Sequence, residues 1–262
     1  MAYISPVLTA IANAAKKASV SLLRDFNELE HLQNSLRNDG SYAMRSLLKA
    51  QKTLRDELAK FKPSYGFVFS SKDAIPSSGN YFLVSAIDGY ANFAHGNAAF
   101  AISIAMVENN AVVDAVVYAP AYDELYYAEK GSGAFKEGFR NLERIRIAVQ
   151  KKPENALASV NADSAILPKI LPLVQNTLIT GVISLDLAHV ACGKTDIAIS
   201  SKCTPAEVAG GMLLVKEAGG YAYEIGTTDV RSENLEKVLF GGTIFATNEA
   251  LREKIALSLA EK

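Results

Sequence analysis

A chain of 262 residues with 49% hydrophobic and 21% charged residues has ample apolar material for one large soluble domain or two small ones. Its formal net charge of -1 excludes a global field that would recruit nucleic acid or an anionic membrane. The longest apolar run, Ala98–Val107, is too short to span a bilayer and is interrupted by Ser103.

No charged segment followed by an apolar one opens the sequence, and Cys192 and Cys203 show neither zinc nor redox spacing. A cytoplasmic protein with reduced, structural cysteines is expected. Residues 6 to 30 read as a helix, with Leu8, Ile11, Ala15, Ala18 and Leu22 on one face and Ser5-Pro6 as its cap and first turn. A second amphipathic helix spans Ala43 to Lys60 and stops before Pro63. Strands follow at 66–69, 81–84, 100–107 and 112–118, with Asn109-Asn110 as a hairpin turn and a further arm at Glu124–Glu129. The basic run Arg140, Arg144, Arg146, Lys151 and Lys152 reads as a solvated face or strand edge.

Beyond residue 147 the pattern alternates. Strands are expected at Leu157–Val160 and Leu178–Gly181, flanking a helical segment near Pro168–Asn176. A helix at Leu185–Cys192 is closed by Gly193, and another at Pro205–Ala218 by Gly219-Gly220. Strands at Asp196–Ile199, Tyr221–Glu224 and Thr243–Ala246 complete the pattern, and Asn248 caps a last helix to Ala260. The fold class is α/β, an α+β half over residues 1–147 followed by an α/β half over residues 148–262.

The stretch Ser85-Ala86-Ile87-Asp88-Gly89-Tyr90-Ala91-Asn92-Phe93 ends an apolar strand in a glycine turn at a helix start, a natural anion site. It resembles the D-P-x-D-G-T-x-N-F motif of the inositol monophosphatase family. Asp114-Ala115-Val116-Val117-Tyr118-Ala119-Pro120, Asp123-Glu124-Leu125-Tyr126, Gly131-Ser132-Gly133-Ala134-Phe135 and Leu185-Asp186-Leu187-Ala188 are similar to further motifs of that family, in order. So are Ala209-Gly210-Gly211 and Glu217-Ala218-Gly219-Gly220. The resemblance to the family, and to its bacterial SuhB-like branch, covers nearly the whole chain. The resemblance implies a layered α-β-α-β-α sandwich, a homodimer, and Mg²⁺-dependent hydrolysis of a phosphate monoester.

The departures fall on the chemistry. By the resemblance, a metal-binding Glu-Glu falls on Ser70 and Ser71, and the first motif Asp on Ser85. Asp88 is kept, and the Ile87 carbonyl remains an available ligand. The water-activating Asp falls on Leu47 and its Thr partner on Tyr90, leaving no catalytic residue in place. The C-terminal metal Asp falls on Glu207, and a sugar-contacting Glu falls near Ser200. Gly181 keeps its place in the substrate loop, followed by the bulkier Val182 and Ile183. Asp88, Gly89, Tyr90, Gly181 and Ser200 are thus the candidate phosphate- and substrate-contacting residues. Asp88, Glu207 and Ile87 are the residual metal positions, with Mg²⁺ weakly held or absent.

Plainer roles stand beside these. Asp88 serves equally as a turn residue capping local N–H groups. Thr204-Pro205-Ala206-Glu207 spells a capping box, the stronger reading for Glu207. Tyr90 reads as a plug over a former pocket. His95 and His189 have no acid at telling spacing, and no nucleophile elbow surrounds Ser70, Ser71 or Ser85. Three functions follow. One is a catalytically impaired family member kept for binding or regulation, with a transcription-machinery partner implied by the SuhB-like branch. Another is a working Mg²⁺-dependent phosphatase recruiting an acid such as Asp73. The third is a metal-free module that binds a small phosphorylated ligand.

Overall fold

The computed structural model describes residues 4–32, 41–138, 141–162, 165–225 and 242–260, and the side chains of all of these except 30–32 and 256–260. Arg140 of the basic run lies outside the described residues.

Two long helices open the chain, α1 (Pro6–Leu32) and α2 (Ser41–Phe61). Ser5 begins α1 as the sequence predicts, its Oγ accepting from Leu8 N–H at 3.2 Å. A seven-stranded sheet follows in simple chain order: β1 (Gly66–Val68), β2 (Tyr81–Asp88), β3 (Ala101–Glu108), β4 (Ala111–Ala119), β5 (Glu124–Glu129), β6 (Gly133–Glu137) and β7 (Leu142–Arg144). Only β1 and β2 run parallel; every other neighbour pair is antiparallel. Asn109 and Asn110 both take left-handed backbone, φ 50° and 61°, as a tight hairpin requires. Between β2 and β3 sits the short helix α3 (Tyr90–Ala94).

The second sheet has the order β11-β12-β10-β8-β9, built from β8 (Leu157–Asn161), β9 (Asn176–Leu178), β10 (Ile197–Ser200), β11 (Tyr221–Glu224) and β12 (Ile244–Thr247). Strands β8, β9 and β10 are parallel, and β12 is antiparallel to both its neighbours. The helices α4 (Leu167–Ile170), α5 (Ile183–Ala191), α6 (Pro205–Glu217) and α7 (Glu249–Ala260) surround it. Asn248 caps α7 as expected, its Oδ1 accepting from Leu251 N–H at 2.9 Å.

Four buried clusters fill the spaces between layers, the smallest joining Val68, Tyr81, Leu83, Ala105 and Val107 of the first sheet to Ala209 of α6. The first joins α1 and α2, through Leu22, Phe26 and Leu54, to Phe82, Ile104 and Val116 on one face of the first sheet. The second joins the opposite face, through Ala115, Val117 and Tyr126, to Leu187 of α5, Leu214 of α6 and Ala198 of the second sheet. The third joins Ile197, Ile199 and Phe245 to Ile170 of α4 and Leu251 of α7. The layers therefore run helix, sheet, helix, sheet, helix. Gly211 lets the middle layer close up, since a Cβ there would lie 2.5 Å from Leu187 Cβ.

Several boundaries differ from the sequence reading. Strand β2 continues past Val84 to Asp88, through a register shift between Ser85 and Asp88. The expected strand at Leu178–Gly181 is instead β9 at Asn176–Leu178, and Thr180–Gly181 is a turn. Gly181 has φ 73°, which a strand does not use. The helical segment near Pro168–Asn176 shrinks to Leu167–Ile170, with Pro172 just beyond it. Strands β6 and β7 escaped the sequence reading. Arg144 ends the edge strand β7 and is exposed, as are Arg146, Lys151 and Lys152, which matches a solvated edge.

Candidate functional site

Asp88 ends β2, and Gly89 turns the chain into α3. At Gly89 φ is 79°, and a Cβ would lie 2.7 Å from Val182 Cγ2 and 2.8 Å from the Ala99 carbonyl oxygen. Only glycine fits both the left-handed backbone and that contact. The turn is thus pressed against the start of α5, an element 96 residues away by the Asp88–Ser184 contact.

That contact defines the role of Asp88. Its Oδ2 accepts from the Ser184 backbone N–H at 2.7 Å, in the first turn of α5, so the carboxyl sits where the helix leaves donors unpaired. Asp88 caps a distant helix rather than the local N–H groups that its position in a turn suggests. The side chain is 4% exposed. Burial, with the Glu207 and Asp186 charges adding to it and the Ser184 hydrogen bonds opposing, pushes its carboxyl up to about 7.

The neighbouring turn at Thr180–Val182 is held from both sides. From the first sheet's side, Asn92 Nδ2 in α3 donates to the carbonyls of Ala99 at 2.9 Å and Thr180 at 2.8 Å. From the second, Asn161 Oδ1 at the end of β8 accepts from Gly181 N–H at 2.7 Å, and Thr180 Oγ1 accepts from Val182 N–H at 3.2 Å. Asp186 anchors this net, its Oδ2 accepting from Thr180 Oγ1 at 2.7 Å and from Asn161 Nδ2. Burial raises the Asp186 carboxyl to about 6 against the pull of its Thr180, Asn161 and Ser159 partners.

The other positions singled out in the sequence have these surroundings. Ser85 is buried in β2 and faces Ser103 across the β2–β3 register. Ile87 is buried beside it. Glu207 closes the N-terminus of α6, its Oε2 accepting from Thr204 N–H at 2.8 Å, as the capping box requires. It stands close enough to Asp88 for its charge to raise the Asp88 carboxyl. Ser200, buried at the end of β10, donates to the Asn161 carbonyl at 3.3 Å. Leu47 and Tyr90 are both half-buried against the first apolar cluster. Ser70 and Ser71 are exposed in the loop after β1. Asp73 is turned back on that loop, its Oδ2 accepting from Phe69 N–H at 2.7 Å and Ser70 N–H at 3.0 Å. Among the described residues, no group of three or more His, Cys, Asp or Glu side chains is arranged to hold a metal.

His189 takes part in a cluster that sequence spacing does not signal. It does have an acid partner, Glu124 of β5, whose Oε2 lies 3.1 Å from Nε2. Glu124 also takes Lys136 at 3.1 Å, Lys194, and the Tyr126 hydroxyl at 2.8 Å. Against the cost of burial, these partners hold its carboxyl down to about 2. The cluster fastens the C-terminal end of α5 to the first sheet. Neither it nor the Asn92–Thr180–Asp186 net is signalled by spacing, although Asn92 and Asp186 both stand inside motifs already noted.

Three helical layers around two sheets, with a glycine turn docked on a helix start, define a layered α/β sandwich. The crystal structure of extragenic suppressor protein suhB from Bartonella henselae superposes with a TM-score of 0.82 at 31% identity, covering 99% of this chain and 100% of that one. The pattern of the inositol monophosphatase family matches residues 4–262, and the chain belongs to that family. The inositol-1-monophosphatase of Rhizobium meliloti is 35% identical over 274 residues, covering 98% of this chain and 99% of that protein. The Nus factor SuhB of Xylella fastidiosa is 30% identical, over 86% of this chain and 84% of its own length.

Proposed function

We propose that this chain keeps the inositol monophosphatase fold without an effective phosphatase site and serves as a binding or regulatory protein. The single observation that carries the reading is the state of its two remaining carboxylates. Asp88 and Glu207 each already accept a backbone N–H at the start of a helix. Two magnesium ions need several oxygen ligands, most of them charged. Ser70, Ser71 and Ser85 bring hydroxyls in place of the family's acids, and Leu47 and Tyr90 bring an aliphatic and a phenolic side chain in place of its water-activating pair. The residues present do not fit the family's ions, so weak or absent Mg²⁺ binding belongs to this reading.

A cytoplasmic homodimer is part of the proposal, as is an association with the transcription machinery, supported by the relative named Nus factor SuhB. No helix among the described residues is long and apolar enough to cross a membrane. The halves 1–147 and 148–262 are proposed as its two structural units, the second completing the pocket in which Gly181 and Ser200 would meet a small phosphorylated ligand. The alternative, a working Mg²⁺-dependent inositol- or sugar-phosphate phosphatase, draws its support from relatives named inositol-1-monophosphatase along nearly the whole chain.

Phosphate release from inositol 1-phosphate, with and without Mg²⁺, tests the choice. The expected result is release no faster than the metal-free blank. Mg²⁺-dependent turnover of about 1 s⁻¹ or more, within the ordinary enzyme range, would establish the alternative.

A further inference from the structure

We infer that Asp88 and Asn92 form a metal-independent clasp joining the first sheet to the helix α5, with the carboxylate used as a helix cap where the family uses it for a cation. The inference rests on the proposed reading of the site and deepens it.

Three contacts make the clasp. Asp88 Oδ2 takes the Ser184 N–H at 2.7 Å, which satisfies a donor that α5 leaves unpaired in its first turn. Asn92 Nδ2 reaches the Thr180 carbonyl at 2.8 Å, one residue before the Gly181 turn. Gly89 brings the two backbones together, since Val182 Cγ2 stands 2.7 Å from where its Cβ would be. On the far side, Asp186 and Asn161 fix Thr180 and Gly181, so the clasp closes on a rigid partner. Asp88, Ser184 and Asp186 are buried, Asn92, Thr180 and Asn161 are half-buried and Gly181 is exposed, so the loss of the Asp88 carboxyl would leave the Ser184 N–H buried without its acceptor.

The geometry gives Asp88 a role that needs no cation, beside Ser85, which brings no charge. A carboxylate whose only role was to hold a cation loses its use with the cation. One that caps α5 remains under a structural requirement whether or not a metal binds. The same holds for Asn92, whose amide bridges two carbonyls from opposite sides of the site.

Thermal unfolding of the whole chain, in EDTA and in 10 mM Mg²⁺, tests the clasp with the variants Asp88→Ala, Asp88→Asn and Asn92→Ala. The clasp predicts that Asp88→Ala and Asn92→Ala each lower Tm by about 4–8 °C in EDTA. Asp88→Asn, which keeps an acceptor oxygen for the Ser184 N–H, should recover most of the Asp88→Ala loss. Mg²⁺ should leave wild type and Asp88→Asn equally unmoved. If Asp88→Ala does not fold, Asp88→Asn and Asn92→Ala carry the comparison.

A wild-type Tm that rises by several degrees in Mg²⁺, with the rise abolished in Asp88→Asn, would overturn the inference and restore a cation to Asp88. So would an Asp88→Ala variant as stable as wild type in EDTA. Turnover of inositol 1-phosphate by a protein that still loses Tm in Asp88→Ala and ignores Mg²⁺ in unfolding would defeat the functional reading and leave the clasp standing.

Discussion

At the scale of single residues, a buried and a half-buried acid respond to their surroundings in opposite directions. Asp114 of β4 lies in register with Glu129 of β5, is 6% exposed, and its Oδ1 has no hydrogen-bond partner among the described residues. Burial first, then the Glu129 and Glu108 charges, push its carboxyl up to about 7, with Lys62 opposing. A folded-state value above the unfolded ~3.9 means that the group favours folding fully at low pH and loses that benefit as pH rises through about 7. Asp114→Asn should therefore stabilise the protein by upwards of ~1 kcal/mol at pH 8, with the gain vanishing below about pH 4. Urea titrations at the two pH values measure it. Glu124 behaves inversely, because its cationic and hydroxyl partners hold it down to about 2. Its contribution is present above the unfolded value of ~4.3 and is lost as pH falls through about 2. Glu124→Gln should cost about 2–3 kcal/mol at pH 7 and almost nothing near pH 2, if acid unfolding is followed by circular dichroism.

At the scale of elements, glycine contacts set how closely layers approach. Gly211→Ala would drive a methyl into Leu187, 2.5 Å away, and should cost about 1–3 kcal/mol by prising α6 from α5. A thermal scan showing no loss would mean that the two helices can slide apart freely. Most elements were legible because local chemistry specifies them: Ser5 and Asn248 at helix starts, Asn109-Asn110 in the hairpin, and Thr204 to Glu207 in the capping box. Elements whose shape comes from distant partners were not legible. The Thr180–Gly181 turn reads as strand in an apolar run, yet Asn161, Asp186 and Asn92 bend it from three directions. The short strands β6 and β7 carry little periodicity and are defined by pairing with β5 and with each other. For the candidate site, the glycine turn at Gly89 was legible in the sequence. The sequence could not supply the Asp88–Ser184 contact, because the partners lie 96 residues apart.

At the scale of the molecule, four apolar clusters hold five layers together, and Ser70 and Ser71 stand exposed outside them. Changes at the exposed Ser70 and Ser71 should therefore leave the sandwich intact, whereas Ser85 is buried in β2 and Glu207 closes the N-terminus of α6. Leu47 and Tyr90 are different, since both pack against the first cluster. Membership of a family fixes an architecture far more firmly than it fixes an activity, which depends on a handful of side chains set upon it.

The central claim is that residue identities, and not the scaffold, withhold the chemistry. The measurement that tests it most directly compares Mg²⁺-dependent phosphate release from inositol 1-phosphate by wild type and by a variant carrying Leu47→Asp, Ser70→Glu, Ser71→Glu, Ser85→Asp, Tyr90→Thr and Glu207→Asp. The account predicts a wild type at the metal-free blank and a variant that gains release at least ~10-fold above it, a difference of about 1.4 kcal/mol in the barrier. A wild type that already turns over substrate at about 1 s⁻¹ in Mg²⁺, and that the substitutions fail to improve, would contradict it.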